Sequence, residues 1–381
     1  MMTAITTKPD AESKLKILSA DGQYDLACVC GTNKDDRRHR GGDGKWIYPI
    51  TLPNGGKSVL FKSLISNHCG NDCKYCPLRA QMDMQRCSLT PAQTAEIFMD
   101  YYNQKKVFGM FLSSAVQHTP DRTMEKLNAT AEILRKKYAF RGFIHLKIMA
   151  GASANAIEKA LSLASAVSVN IETPGAKYME KLSDRKNYIT DIIEPIKLIS
   201  KLTSKGSKYH RVKQSTQFIV GPANEPDADI VKYSAAMYDR LGMKRVYFSS
   251  YQSGLGDAAL VAESAAARPE DAFVREHRLY QVDFLLRRYG FRESDIFFDS
   301  QGNLSLTTDP KQTFADRHPE LFPVNINRAA KTALLRVPGL GPTTVSRIIK
   351  RRTQARLQRI EDIAKPNKLL LKAEKYLVFG I

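Results

Sequence analysis

The chain has 381 residues, 43% of them hydrophobic, enough for one large domain with a sizeable core and a smaller domain as well. No apolar run follows Met1 and none approaches the roughly 20 residues of a membrane span, which argues against a membrane protein and leads to the expectation of a soluble, cytoplasmic one. Six cysteines are too few and too unevenly placed for a secreted disulfide framework, and a formal net charge of +19 favours a polyanionic partner.

Residues 1–45 form an N-terminal extension without a clear period. Asp21 to Cys30 reads as a short ordered lead-in and Lys34 to Gly44 as a charged, Gly-rich loop. Cys28 and Cys30 could carry part of a second metal site or sit as small buried hydrophobes. From Ser58 the pattern becomes regular. Apolar runs predict strands at Val59–Ile65, Gly109–Ser113, Gly142–Met149, Val167–Ile171, Thr216–Val220 and Arg245–Ser249. Between them lie helical stretches at Pro91–Gln104, Asp121–Tyr138, Ser153–Ser165, Ile189–Ser204 and Asp227–Leu241. Such alternation implies right-handed βαβ units and an α/β fold, a partial (β/α)6 TIM-like barrel over residues 46–305. After Gln252 the regularity ends. Asp271–Tyr289 is predicted as a long helix, Ile296–Phe298 as a short strand and Asn303–Pro323 as a mostly irregular connection, with residues 306–327 as connector. Residues 328–381 form a small all-α domain with helices at Arg328–Val337 and Thr343–Arg352.

The densest chemical signal is Cys69-Gly70-Asn71-Asp72-Cys73-Lys74-Tyr75-Cys76, directly after the first predicted strand. Three thiolates this close can each take one iron of a [4Fe-4S] cluster and leave the fourth open to a small molecule. In parallel barrels the chemistry lies at the C-terminal strand ends, where this loop falls. A zinc site recruiting His68 is the rival, although neighbours in sequence rarely reach two vertices of one tetrahedron. In the fourth strand Ser168, Asn170 and Glu172 share one face by period two, a polar row that calls for a ligand or, for Glu172, a structural lysine such as Lys147. Cys87 could return a hydrogen atom or be an inert thiol.

The spacing of Cys69, Cys73 and Cys76, with Tyr75 before the last, resembles the signature of radical S-adenosylmethionine (SAM) enzymes. The resemblance implies that the open iron binds SAM and that strand ends supply the remaining contacts. Ser113 and Ser114 stand where that family often has Gly-Gly-Glu receiving the SAM ammonium, and backbone carbonyls could accept it instead. Asn170 and Glu172 are candidates for the ribose or methionine. Gln217 with Val220-Gly221-Pro222-Ala223-Asn224-Glu225 resembles the family's glycine motif, although a turn into the next helix explains Gly221 equally well. Ser249 and Tyr251 end the sixth strand as further candidates.

From Arg328 onward thirteen Lys and Arg face three Asp and Glu. Leu335-Arg336-Val337-Pro338-Gly339-Leu340-Gly341-Pro342-Thr343-Thr344-Val345 resembles a helix-hairpin-helix, in which Gly339 and Gly341 shape the turn and the helix opened by Thr343 and Thr344 turns its positive end to a phosphate. Arg347, Lys350 and Arg351 lie behind it on one helical face. A hairpin used only for packing is the alternative. The combination of loop, barrel and basic hairpin resembles the DNA modification/repair radical SAM proteins over most of the chain, including His318-Pro319-Glu320. That resemblance implies a [4Fe-4S] cluster, SAM, DNA as partner, a reductant such as a flavodoxin or ferredoxin, and a uracil-DNA-glycosylase-like protein partner. RNA such as tRNA, or a DNA-binding protein with a structural or redox-sensing cluster, are the other readings.

Overall fold

The computed structural model describes residues 9–22, 46–51, 57–252 and 269–380, together with 254, 256–258 and 260. Cys28 and Cys30 lie outside the described residues, as does the predicted loop from Lys34 to Gly44. The chain divides into two compact units, Met1–Glu225 with Met237–Phe273 and Pro226–Ala236 with Val274–Ile381. Among the described residues no helix is long and apolar enough to cross a membrane.

The first unit is built on one seven-stranded sheet in sequence order: β1 (Ile47–Thr51), β2 (Lys57–Leu64), β3 (Gly109–Ser113), β4 (Phe143–Lys147), β5 (Ala166–Ser168), β6 (Lys213–Val220) and β7 (Arg245–Ser250). β1 runs antiparallel to β2, and β2 to β7 are mutually parallel, the partial (β/α)6 barrel expected of the alternating pattern. The crossovers carry α2 (Pro91–Asn103), α3 (Pro120–Lys136), α4 (Ala154–Leu163), α5 (Ala176–Leu182) and α6 (Glu194–Thr203), and α7 (Asp227–Leu241) follows β6. Their starts are written in the sequence. Thr90 caps α2 in a reciprocal box with Gln93 and Pro91 follows at the first position, while Thr119 and Ser153 cap α3 and α4. Between the sheet and these helices Phe61, Phe98, Met110, Leu112, Ile144 and Leu146 are fully buried.

Four expectations are corrected. The extension is not featureless, since Ala11–Asp21 is a helix, α1, capped by Asp10 and seated through Leu15 and Leu18. β5 stops at Ser168 rather than Ile171, because the Val169 carbonyl and the Ile171 N–H both turn to the Thr216 hydroxyl instead of the β6 backbone, and the ladder resumes only at Glu172. The helix expected at Ile189–Ser204 opens with a π-helical turn, Tyr188–Ile193, before α6. In the second unit Ile296–Phe298 is not a strand, because Phe297 spends its ring on Phe314 and His318.

That unit contains α8 (Pro269–Arg288, from Val274 on), α9 (Pro310–Arg317), β8 (Val324–Asn325), α10 (Lys331–Arg336), α11 (Pro342–Arg352), α12 (Lys368–Glu374) and β9 (Leu377–Val378). α9 lies inside the connection expected to be irregular, capped by Asp309 with Pro310 at its first position. β8 pairs with β9 in parallel, and Leu334, Val337, Leu340, Val345, Ile348, Ile363 and Ala373 form the core around α10 to α12.

Candidate active site

The six parallel strands end beside one cavity. It is lined by Cys69, Cys73, Tyr75 and Cys76, by Ser113 at the end of β3 and Ser114 after it, by Lys147, Asn170 and Glu172, by Gln217, and by Ser249 and Tyr251. Apart from Gly221, every residue expected to meet the cluster or SAM therefore reaches the same space. Gly221 is not among the lining residues. Its φ of +102° serves the turn after β6, where its N–H and that of Ala223 donate to the two carboxylate oxygens of Glu225.

The cysteine loop is held from several sides. Arg86 donates from Nη1 to the carbonyls of Asn67 (2.5 Å) and Leu78 (2.9 Å), and from Nη2 to those of Arg79 (2.9 Å) and Met82 (3.0 Å). Asn67, fully buried, donates to Asp21 and to the Gln85 carbonyl and accepts from the Cys87 N–H. On the opposite flank Asp72 accepts from the Ser183 hydroxyl and the Asp184 N–H, Lys74 N–H donates to the Leu182 carbonyl, and Arg185 donates to the Gly70 carbonyl. Cys87 packs with Leu18, Leu64 and Leu89 and is not among the residues lining the cavity, which favours the inert reading of that thiol. His68 is exposed and lines a second hollow with Cys69, Arg86 and His118, on the other side of Cys69 from the main cavity, which His68 does not line.

Glu172 is the strained residue of the site. Its positive φ, costing about 1–3 kcal/mol for a side chain of this kind, is fixed by backbone bonds to β6: Glu172 N–H to Gln217 O, and Ile219 N–H to Glu172 O. The carboxylate accepts from Asn170 Nδ2 at 3.4 Å and stands 3.9 Å from Lys186 Nζ, so its ion-pair partner is Lys186 rather than Lys147. Lys186 also donates to the Tyr75 hydroxyl at 3.4 Å. This lysine was not singled out from the sequence. It lies 111 positions from Tyr75, and no local pattern links the two.

Electrostatics decide which groups fit here. Burial pushes the Cys73 thiol up, and pushes Cys76 up to about 12. Burial opposes the charge on Lys186, yet the neighbouring Cys73 and Glu172 outweigh it and hold the ammonium above its ordinary value. Two buried thiols that stay neutral unless a cation compensates them, with Cys69 beside them on the same loop, are a donor set suited to a metal group. Among the described residues no three His, Cys, Asp or Glu converge as ligands of a single ion. An iron-sulfur cluster separates its thiolates, since each iron takes its own.

In the second unit the two candidate glycines differ in role. Gly339 has φ +87°, and a Cβ there would lie 2.2 Å from the Leu369 carbonyl oxygen, so α12 packs directly onto the turn. Gly341, at φ −104°, caps α11 in an extended conformation open to other residues. Val345 and Ile348 face the core, while Thr343, Ser346, Arg347, Lys350 and Arg351 are exposed and Thr344 is half-buried. Arg351 donates to the Asp362 carbonyl. From α9, Lys311 donates to the Leu340 carbonyl inside the turn, with Tyr289 beneath its ammonium at 4.6 Å.

No protein-family model and no curated protein matches the sequence. Among solved structures the chain is similar to HydG, a maturase of the [FeFe]-hydrogenase (11% identity, 58% of this chain and 49% of that one, TM-score 0.44). It is also similar to methylornithine synthase, PylB (12%, 58% and 62%, TM-score 0.45). A third is TsrM, a radical S-adenosylmethionine methyltransferase from Kitasatospora setae with cobalamin and a [4Fe-4S] cluster bound (12%, 51% and 37%, TM-score 0.38). The chain thus spans about half the length of the first of these, and at such TM-scores they fix neither substrate nor reaction.

The sheet holds a further polar feature. Strand residues facing the bore include Lys62, His145 and Lys147 as well as the Ser168 to Glu172 row. His145 and Lys147 repeat the period-two spacing on β4, but over two positions only, whereas the row from Ser168 to Glu172 runs over three.

Proposed function

We propose that the chain is a radical SAM enzyme that acts on nucleic acid, with DNA base modification or repair as its reaction class. The observation that carries the reading is the three-thiol loop, which lines one cavity with the polar residues of the parallel strand ends. Cys69, Cys73 and Cys76 would each hold one iron of a [4Fe-4S] cluster and leave the fourth to the amino and carboxylate groups of SAM. Together these cofactors supply one-electron chemistry able to remove a hydrogen atom from a substrate, given a reductant of the flavodoxin or ferredoxin type. Tyr75, Ser113, Ser114, Asn170, Glu172, Gln217 and Tyr251 would orient SAM, and Lys186 offsets the negative charge that Glu172 and the thiolates bring to a buried site. In the second unit the hairpin at Gly339 and Gly341, the start of α11 at Thr343 and Thr344, and Arg347, Lys350 and Arg351 would bind phosphate without reading base sequence. A uracil-DNA-glycosylase-like partner belongs to the same reading.

Anaerobic reconstitution followed by assay for reductive cleavage of SAM to 5′-deoxyadenosine tests the enzyme. Cleavage that disappears in Cys73→Ala supports it. A centre ligated entirely by protein, with a spectrum that ignores added SAM, would make the cluster structural or redox-sensing. Competition among duplex DNA, single strands and tRNA over a salt series tests the substrate class.

A further inference from the structure

The face of the barrel turned away from the cysteine loop carries charge of one sign. Because β2 to β7 are parallel, every segment that leads from a helix into a strand returns to the same side, at the N-terminal strand ends. Lys105 and Lys106 precede β3, Lys137 and Arg141 precede β4, and Lys205 and Arg211 precede β6, all of them exposed. Exposed Lys208 and Lys244 add to them, and the segments 104–108, 137–142, 164–165, 204–212 and 242–244 contain no Asp or Glu. The segments that leave the strands at the cysteine end are mixed: 65–90 sets Asp72 and Asp83 among its basic residues, and Glu172 and Glu225 follow β5 and β6.

Helix dipoles do not account for the bias. A cation that complements a helix C-terminus acts within the last turn, yet α2 and α4 have no basic residue there, and Arg141 and Arg211 stand well beyond the ends of α3 at Lys136 and α6 at Thr203. Nor are the charges spent internally. On α3 and α4, Glu132 pairs with Lys136 and Lys159, and Glu158 with Lys208, whereas Lys105, Arg141, Lys205, Arg211 and Lys244 have no ion-pair partner among the described residues. Register sets the segments side by side, since Gly109 pairs with Phe143, His145 with Ala166, Ala166 with Lys213 and Ser215 with Arg245. At about 4.8 Å between strands, β3 to β7 spans about 19 Å along the sheet, the run of about five or six phosphates on one strand of a duplex. The kind of partner follows from the apolar side chains. None of the large hydrophobic residues exposed on the described chain falls in these segments, where Val107, Phe140, Tyr209 and Met243 are buried. A protein partner calls for apolar and aromatic contact at the centre of its interface, where Lys is depleted, whereas a sugar-phosphate backbone calls only for charge.

We infer that the N-terminal face of the barrel is a second binding surface for a sugar-phosphate backbone, in addition to the hairpin. It lies a strand's length from the candidate active site, about 17 Å for the five residues of β4, so what it holds is flanking nucleic acid rather than the target nucleotide. As a choice of partner the inference rests on the nucleic-acid reading above.

The test is fluorescence anisotropy of the full chain with a duplex of about 30 base pairs over about 50 to 200 mM salt, in which the slope of log K against log salt changes by about 0.9 for each phosphate contact. Arg141→Ala/Arg211→Ala removes two exposed side chains outside the candidate active site and should make the slope shallower by about 1.8. Lys197→Ala/Lys232→Ala, which takes the same charge from exposed positions on α6 and α7, should change it by under about 0.5. The inference is overturned if the two pairs shift the slope alike, or if Arg141→Ala/Arg211→Ala leaves it unchanged. It is overturned as well if polyglutamate or phosphatidylserine vesicles, at equal charge, displace the labelled duplex as readily as unlabelled duplex does. Arg347→Ala/Lys350→Ala separates this surface from the broader reading. A slope that falls in that variant and not in Arg141→Ala/Arg211→Ala leaves the nucleic-acid reading standing without this surface. A parent that retains neither duplex, single strand nor tRNA at the lowest salt removes that reading, and the partner of this surface with it.

Discussion

Replacing Arg86 tests whether the cysteine loop is held by one side chain. The guanidinium donates to four main-chain carbonyls, at residues 67, 78, 79 and 82, which bracket the three cysteines and the return of the chain. A hydrogen bond with a charged partner is worth about 1.5–3 kcal/mol, and these four are only partly buried, so water can rehydrate some freed carbonyls in Arg86→Ala. Counting half of them as lost outright gives about 3–6 kcal/mol of local stability. At about 1.4 kcal/mol per decade, this corresponds to a loop opening equilibrium roughly 10²–10⁴ higher. Hydrogen exchange read by mass spectrometry should show residues 67–87 exchanging faster by about that factor while β4 is unchanged, and iron bound per chain should fall in parallel. Arg86→Lys should fall between, since an ammonium has three donors and no planar fork. Exchange in 67–87 within about threefold of the parent would refute the assignment of Arg86 as the clamp, because that factor is under 1 kcal/mol.

Three further outcomes concern the second unit. Gly339→Ala puts a methyl against the Leu369 carbonyl at a left-handed φ and should cost about 2–4 kcal/mol in urea denaturation of the full chain, whereas Gly341→Ala should cost under about 1 kcal/mol. Burial lowers Lys311 to about 7, with Asp309 opposing that shift and Lys372 adding to it. Because this value is below the ordinary lysine value, the unfolded chain binds the extra proton between pH 7 and about 10. Stability should therefore rise with pH through that window by up to about 1.4 kcal/mol per unit, and Lys311→Met should flatten the profile in melts from pH 7 to 9. Arg347→Ala and Lys350→Ala should each lower the salt slope of duplex DNA binding by about one and weaken all sequences alike; unchanged slopes would exclude this face from the interface.

The parts of this molecule legible in the sequence are those whose signal is local. Pro91, Thr90 and Gln93 announce α2 within four positions, and the runs around Met110, Ile144 and Phe218 announce strands because each places one face against helices. β1 carries little strand signal because its five residues include Pro49, tolerated where the strand has one neighbour among the described residues, β2. The short helix Ala176–Leu182 was missed for want of a side-chain cap, since Gly175 precedes it. Ile296–Phe298 misled for the opposite reason, since an apolar triplet suits a strand but its rings are used in an aromatic cluster on irregular backbone.

The site shows the same division at higher stakes. Cys69 to Cys76 could be read because the ligands are neighbours in sequence, and Ser168, Asn170 and Glu172 because period two survives the break in the ladder before Glu172. Lys186 and Arg86 could not, since each acts on groups brought near only by folding. Lys62, His145 and Lys147 were hidden in another way. His145 and Lys147 are only two positions of a five-residue strand and Lys62 is alone on β2, and the three come to one face of the sheet only when register sets β2, β3 and β4 side by side. A chain selected only for barrel stability would have placed Leu or Val at those positions, which the outer face of the same strands does have at Leu112, Ile144 and Leu146. The polarity of the inner face is therefore a cost, and Lys62 shows how the fold meets that cost from within, since its Nζ donates to the Gly22 carbonyl at 2.8 Å.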